Sequence, residues 1–515
     1  MSLHSKLKRN TYVDSVTLMA ISTAANKLRG VHQAQVAMGT SMNKAVLQEL
    51  GLLDETLQGA GNPDLMMVCE LEKGVDVAEI FSAIEELLTR KPGAESDRQD
   101  DVFHTLAAAA QNMPDSNLVV ISVNGAYAAR EAEKALHLGK HVMLFSDNVS
   151  IEDEKRLKAL AHDKGLLMMG PDCGTAIING VALGFANKVR RGNIGIVAAS
   201  GTGAQEMSVR IHDFGGGISQ LIGTGGRDLS TEIGGVMMLD GLHALANDPH
   251  TDVIVIVSKP PAKAVAEKVL AAAATVKKPV VIQFLGLKDQ LQHADNVQLF
   301  AHSKPAAMAA VIKSGVPEAS IDKHAFNWPL IEEVRGKLKP EQRYVRGLFC
   351  GGTLCDEAMF AASEIHGEIY SNIHPDPAHR LAPQDKSKAH TFIDLGDDAF
   401  TQGRAHPMID PAYRIARILE EGRDPETGVL LLDFVLGYGA NPDPVGTTLD
   451  ALITVKKEAE AAGRHLEILA YVLGTDLDNP DVASQIALLK NAGITIAPSS
   501  TDAGLLAREF VVKGE

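Results

Sequence analysis

The feature that most constrains the fold is a repeated alternation of short apolar runs with helical patterns through most of the chain. Asn117–Val123 (NLVVISV), His141–Phe145 (HVMLF), Ile194–Ala198 (IGIVA), Val253–Val257 (VIVIV) and Pro279–Phe284 (PVVIQF) are apolar continuously rather than at every second residue. A strand that is apolar on both faces has to be covered on both faces, as it is when helices connect parallel strands. Further strands are expected at Asp64–Leu71, Leu166–Met169, Leu348–Cys350, Thr391–Asp394, Val429–Phe434 and Glu467–Val472. Helices are expected between them, for example over Ala126–Leu138 and Ala262–Thr275. The pattern predicts an α/β fold built on parallel sheets. At 515 residues the chain suits about three domains of roughly 150 residues each. The boundaries read as a first domain over 1–169, a second from Gly170-Pro171 to about 320, a polar, proline-bearing linker over 321–345, and a third over 346–515.

The formal net charge of −16 argues against nucleic acid and anionic membranes as partners. It leaves small anions open, because local amide nests override a global field. Aromatic residues make up 4% of the chain and Trp328 is its one tryptophan, which weighs against stacking on single strands. The cysteines are Cys69, Cys173, Cys350 and Cys355, with no CxxC pair and no zinc spacing, so no metal site is expected. So few thiols fit a reducing compartment. The N-terminus lacks an apolar segment after its basic residues, and no apolar stretch reaches the ~18 residues of a membrane span. A cytoplasmic protein is expected. The charge run Glu95–Asp101 reads as a solvated loop.

Four strand-to-glycine turns carry the chemistry. The first is Ser200-Gly201-Thr202-Gly203, between strand Ile194–Ala198 and a helical pattern. Its glycines let the backbone approach an anion, and the helix N-terminus favours negative charge. An ordinary N-cap by Ser200 or Thr202 is the competing reading. It is neither a Walker A loop nor a full GxGxxG. The second is Gly223-Thr224-Gly225-Gly226-Arg227-Asp228, where Arg227 either clamps a carboxylate or phosphate or pairs with Asp228. The third is Gly437–Asn441 in LLLDFVLGYGANPDPVG, with Gly437, Gly439 and Asn441 at a strand's carboxyl end, where ligands of open α/β sheets sit. The fourth is Cys350-Gly351-Gly352-Thr353. His406, in GRAHPMIDP beside Arg404 and Asp410, is either an acid/base or phosphate contact or a structural loop residue. His293, in LQHADN, reads as surface. No GxSxG elbow or glycosidase carboxylate pair appears.

The segments GLLMMGPDCGTAII, GNIGIVAASGTGAQE, GTGGRDLS, DPHTDVIVIVSKPP and KKPVVIQFLG resemble, in order and spacing, the α-subunit of succinyl-CoA synthetases. From Arg346 onward, CGGT, FIDLGDD and LLLDFVLGYG resemble the carboxy-terminal domain of the β-subunit, with no counterpart of its ATP-grasp module. The fused arrangement resembles the FdrA family over nearly the whole chain, through DSVTLM, MGTSMNKAVL, FSDNVSIEDE, MGPDCGT, GGRDLS, SKPP, GGTLCDE, DLGDD and HPMIDP. The resemblance implies a Rossmann-like CoA-binding-type domain followed by two flavodoxin-like ligase domains. It also implies an acyl-CoA synthetase activity or a subunit of oxamate carbamoyltransferase, with CoA as a possible cofactor.

The departures from the synthetase pattern separate these two activities. The phosphohistidine loop is replaced by GLKDQLQHADN, lysine stands at Ser258-Lys259-Pro260 where the relay has a glutamate, and the CoA-binding glycine turn is replaced by TYVDSVTLM. Direct carbamoyl transfer between phosphate and a small amide acid follows as the leading expectation. Ser200, Gly201, Thr202, Gly203, Gly225, Gly226, Gly437, Gly439 and Asn441 would bind the phosphate group, and Arg227 would help hold it. Lys259 would stabilise developing charge, and His406 would be the acid/base. A homo-oligomer with partner enzyme subunits is expected. An acyl-CoA ligase that borrows an ATP-grasp chain and a non-catalytic sensor of an anionic metabolite remain as alternatives.

Overall fold

The computed structural model describes every residue except 12, 14, 27, 62, 90–101, 288–290, 402–404 and 513–515. The charge run Glu95–Asp101, Arg404 and part of GLKDQLQHADN lie outside the described residues. Among those described, no helix is long and apolar enough to cross a membrane. The chain divides into two compact units, one over Met1–Val102 and one over Phe103–Thr401 and His406–Glu515.

The first unit differs from the expected Rossmann-like fold. Its sheet has three strands in the order Ser2–Lys8, Leu65–Leu71, Val31–Met38, and both pairings are antiparallel. Leu65–Leu71 is continuously apolar because it is the central strand and both of its faces are covered. Met67, Cys69 and Leu71 pack with Leu18, Ile80 and Ile84, while Met66 and Val68 pack with Leu47, Leu52 and Leu57. Continuous apolarity reports burial of two faces, and an antiparallel strand between two helical layers satisfies it as well as a parallel one does.

The second unit holds the parallel sheets. Leu118–Ile121, His141–Leu144 and Met168–Met169 form a three-stranded parallel sheet. A seven-stranded sheet runs in the order Val297–Phe300, Val280–Phe284, Val253–Ser258, Arg191–Ala199, Ile218–Gly223, Thr175–Ile178, Val181–Gly184. Its first five strands are parallel, and the last two form an antiparallel hairpin. A six-stranded, wholly parallel sheet runs Ile369–Ser371, His390–Asp394, Tyr344–Phe349, Thr427–Val435, Glu467–Leu473, Thr495–Ala497. The last two sheets define two lobes. The expected linker over 321–345 contains helix Trp328–Lys337, begun by an Asn327 cap on Leu330 N–H, with Ile331 and Val334 in the core of the six-stranded lobe. Two buried residues one helical turn apart are too short a pattern to stand out in a polar segment.

Candidate active site

Strand Arg191–Ala199 ends at Ser200, and helix Gly201–Asp213 follows. Ser200 is extended, and its Oγ accepts the Gly203 N–H at 3.0 Å. This is the N-cap that relieves one orphan amide of the first turn. The other lobe repeats the construction: strand Tyr344–Phe349, the turn Cys350-Gly351, then helix Gly352–Ser363. The two helix starts meet. Ser200 Oγ and Thr353 Oγ1 share a short hydrogen bond, and Thr353 N–H donates to Thr202 Oγ1 at 3.3 Å. Two N-termini converging on one place add their positive ends there. Part of that potential is already answered, because Cys350 and Gly351 N–H donate to the Asp433 carboxylate at 2.8 and 2.9 Å. Buried Arg414 holds Asp433 in turn, at 3.0 Å. Ser200 and Gly203 are therefore engaged in capping and in the lobe contact. Gly201 and Thr202 remain half-buried, with N–H groups that the Ser200 cap does not use.

Lys259 follows strand Val253–Ser258 at its carboxyl end and reaches the other lobe, where Nζ lies 3.5 Å from Asp356 Oδ2. Asp356 lies on helix Gly352–Ser363, and Asp394 ends strand His390–Asp394. Both carboxylates are buried. Gly352 leaves the space in which they gather: a Cβ there would stand 2.9 Å from Lys259 Nζ and against Asp394 Oδ2. Asp394 is fixed by Gly396 N–H on Oδ1 at 3.0 Å, and Asn372 pairs with its backbone on both sides. Burial pushes the Asp394 carboxyl up to about 7, against the pull of Lys259. For Lys259, burial is the largest influence and opposes its charge, but Asp356 and Asp394 outweigh it and hold the ammonium above its ordinary range.

Across the cleft, Met168–Met169 leads into Gly170, Pro171 and Asp172. Asp172 is exposed at this turn, and the protein groups around its carboxyl, with Asp398 adding to them and Lys259 opposing, raise it to about 7. Gly225 and Gly226 back onto this turn: a Cβ on Gly226 would lie 3.6 Å from Asp172 Oδ2, and Gly225 (φ +85°) abuts Pro171.

The remaining expected residues are placed differently. Arg227 pairs with neither Asp228 nor an open pocket. Its Nε and Nη2 go to Glu154 at 3.0 and 2.9 Å and Nη2 also to Val149 O at 2.8 Å, so the edge suited to bidentate clamping is occupied. Asp228 instead binds buried Lys158 at 2.8 Å. Ser200–Gly203 meets Gly351–Thr353 directly, and Gly437–Asn441 borders the same stretch of chain as Gly201, since a Cβ on Gly201 would lie 3.8 Å from Thr175 Oγ1, which donates to Phe185 O at 2.7 Å. Gly437–Asn441 docks on Phe185–Asn187: Tyr438 N–H donates to Ala186 O at 2.9 Å, Gly439 packs on Phe185, and Asn441 is bonded to Met408 and Ile409 carbonyls. His406 sits by Gly396, its ring 5.9 Å from that of Phe185. Its Nδ1 accepts Met408 N–H at 3.2 Å, and burial pushes the imidazole down to about 4. With Nδ1 taken up by Met408 N–H, the expected acid/base role would fall to Nε2, which faces Gly396. His293 is exposed, and its contact is with the neighbouring Ala294 carbonyl at 3.3 Å. Asp172, Asp356 and Asp394 were not singled out from the sequence, although MGPDCGT, GGTLCDE and DLGDD contain them.

Three family models match: "AllF, heavy metal-associated domain" over 1–103, "CoA binding domain" over 189–286 and "CoA-ligase" over 348–510. "Uncharacterized protein YahF" of Escherichia coli (strain K12) is 58% identical over 515 residues, all of both chains. The "Succinate--CoA ligase [ADP-forming] subunit alpha" of Methanothermobacter thermautotrophicus is 26% identical over 162 residues, 31% of this chain and 54% of that one. The chain thus spans about half the length of that α-subunit. An apo dinucleotide-forming acetyl-coenzyme A synthetase 1 of Ca. Korarchaeum cryptofilum is 16% identical at a TM-score of 0.31, over 77% of this chain and 82% of that one.

The described residues do not fit a heavy metal in the first unit. Cys69 lies buried in the central strand, burial pushes its thiol up to about 11, and no three metal-ligating side chains converge among the described residues. In the second unit, the three-stranded parallel sheet that begins at Leu118–Ile121 does not offer the glycine cradle of a dinucleotide-type pyrophosphate site. Its first turn, at Asn124-Gly125, is filled by the backbone of Asp147 and Asn148, which a Cβ on Gly125 would strike.

Proposed function

The chain belongs to the family of that Escherichia coli protein, and we propose that it is an FdrA-type enzyme subunit of the succinate–CoA-ligase-like superfamily. It transfers a carbamoyl group between phosphate and a small amide acid such as oxamate, in the cytoplasm and together with partner subunits.

One observation carries the reading: Lys259 enters the Asp356–Asp394 cluster beside the facing helix starts, while His293 lies exposed on a loop. A carbamoyl phosphate presents three chemical faces. Its carbonyl oxygen takes the Lys259 ammonium, its NH2 meets carboxylate acceptors, and its phosphate suits the helix-start amides of Gly201 and Thr202, which the Ser200 cap does not use. As the acceptor nitrogen attacks the carbonyl carbon, Lys259 stabilises the charge that develops on oxygen, and the bond to phosphate breaks. Holding both substrates in line supplies much of the remaining acceleration.

The test is phosphate release from carbamoyl phosphate by the whole chain purified with the products of adjacent genes, across a panel of amide acids. Lys259→Ala should lower kcat/KM by roughly a hundredfold, and His293→Ala should leave it within about twofold. The reverse order overturns carbamoyl transfer in favour of phosphohistidine chemistry.

A second reading, an acyl-CoA ligase with a separate ATP-grasp chain, is favoured by the names of two matching families and of the α-subunit relative. Micromolar CoA affinity by calorimetry would promote it.

A further inference from the structure

Strand ends from three sheets place four charged residues around Asp172. Asp147 follows His141–Leu144, Asp172 follows Met168–Met169, Arg227 follows Ile218–Gly223, Lys259 follows Val253–Ser258, and Asp398 follows His390–Asp394. Asp398, Lys259, Asp147 and Arg227 all lie close enough to Asp172 to act on its charge. Asp172 itself is held in the left-handed region at φ 56°, a conformation that costs a non-glycine residue free energy. Its N–H is anchored to Ser146 O at 3.0 Å. Its carboxylate makes no hydrogen bond or ion pair among the described residues. The turn thus leaves a water-accessible carboxylate able to meet a substrate.

We propose that Asp172 is the proton acceptor of the reaction, taking the proton from the acceptor substrate's nucleophilic nitrogen. Asp356, Asp394 and His406, the other titratable groups nearest Lys259 and Gly396, are already engaged. Asp356 pairs with Lys259. Asp394 is 5% exposed and tied to Gly396 N–H. His406 has its Nδ1 engaged, and burial pushes its imidazole down. The surroundings that raise the Asp172 carboxyl to about 7 also match it to proton exchange near neutrality. Asp398 and Asp147 favour its protonated form, and Lys259 and Arg227 favour the carboxylate.

The step balances without a further reactant. The nitrogen lone pair forms the new C–N bond, the bond from carbonyl carbon to phosphate oxygen breaks, and its electron pair leaves with phosphate. The proton lost by nitrogen moves to Asp172 Oδ and then to the departing phosphate. In the reverse direction Asp172 returns it.

This role rests on the acyl-transfer reading, and the experiment separates the two. The whole chain with its partner subunits is assayed across pH with carbamoyl phosphate. Asp172→Asn should lower kcat/KM at least a hundredfold and erase the limb near pH 7. Asp172→Glu should restore part of the rate with a shifted limb, and melting should be unchanged for both. An Asp172→Asn enzyme within threefold of wild type, with its limb intact, overturns the proposal. In parallel, the Asp172 carboxyl carbon is identified by NMR as the signal lost in Asp172→Asn and titrated with and without inorganic phosphate. A midpoint near 4, unmoved by phosphate, also overturns it. A midpoint near 7 that phosphate moves, in protein inactive toward carbamoyl phosphate, supports Asp172 as the site's proton-exchanging group and overturns the carbamoyl reading alone.

Discussion

A methyl group on Gly352 would have to share space with Lys259 Nζ and Asp394 Oδ2. Neither neighbour yields easily: Asp394 is pinned by Gly396 and Asn372, and Lys259 is drawn to Asp356. Gly352→Ala is therefore expected to displace the ammonium by tenths of an ångström to an ångström. Misplacement on that scale costs up to about a hundredfold in rate. The substitution replaces glycine at the first position of a helix, where alanine's higher propensity offsets part of any strain. Steady-state kinetics should thus show a fall in kcat with melting changed by no more than a few degrees. Unaltered kcat would remove Lys259 from the chemistry. At this scale the sequence was only partly legible. Lys259 was visible because a cation replaced an expected carboxylate. Asp172, Asp356 and Asp394 were not, because a lone aspartate carries no sign that residues two hundred positions away will enclose it. Arg227 was misread for the same reason: its partner Glu154 lies 73 residues earlier in the chain, whereas Asp228 stands next to it.

The elements were more legible, because burial on two faces leaves a continuous apolar run whatever the neighbours are. What a run does not record is direction, and Leu65–Leu71 was therefore expected in a parallel sheet and stands in an antiparallel one. The amino ends of the six-stranded sheet, opposite the ends that carry Cys350 and Asp394, carry a different kind of information. His390 begins its strand stacked on His366 with centroids 4.1 Å apart, and lies edge-on to Tyr344 at 5.4 Å. Burial, then the nearby His366 and Arg346, push its imidazole down to about 3. An unfolded histidine titrates near 6.5. Because the folded value is depressed, the stability His390 contributes is full above about pH 6.5 and is lost as pH falls toward 3. The slope is at most about 1.4 kcal/mol per pH unit, or about 2 kcal/mol between pH 6.5 and 5. His390→Phe keeps a ring in the stack but no titrating group. It forfeits the weak 3.3 Å bond from Val345 N–H, which lowers stability by a constant amount at every pH. Denaturant melts from pH 7 to 4.5 should show a flatter acid limb for His390→Phe. An unchanged slope would show that His390 titrates normally when folded.

At the scale of the whole second unit, the two lobes are joined by buried polar contacts far apart in sequence. Asn187 Nδ2 donates to Leu436 O at 2.9 Å and to Asp478 Oδ2 at 2.8 Å. Lys188 N–H donates to Asp478 Oδ1 at 2.8 Å. Ser303 N–H reaches Glu357 at 2.9 Å, Lys304 reaches Asp502 at 2.9 Å, and Tyr471 hydrogen-bonds Glu206. Nothing local in either segment records these meetings. Only the resemblance of one lobe to an α-subunit and of the other to part of a β-subunit pointed to a shared site. Because each lobe satisfies donors of the other, neither can unfold without exposing or orphaning groups in its partner, and the two are expected to melt in one transition. Asp478 tests this. It is 8% exposed and accepts Asn187 Nδ2 and Lys188 N–H from one lobe and Thr475 N–H from its own at 2.9 Å. Asp478→Ala leaves these donors without their acceptor, at roughly 1–3 kcal/mol for each that water cannot reach. Scanning calorimetry of the whole chain should show the shared transition moved down by several degrees, with the two lobes still melting together or just beginning to separate. If the lobes already melt apart in the wild type, and Asp478→Ala shifts only the six-stranded lobe, the contacts between the lobes are not what holds the facing helix starts together, and the geometry around Lys259 must be maintained by each lobe on its own.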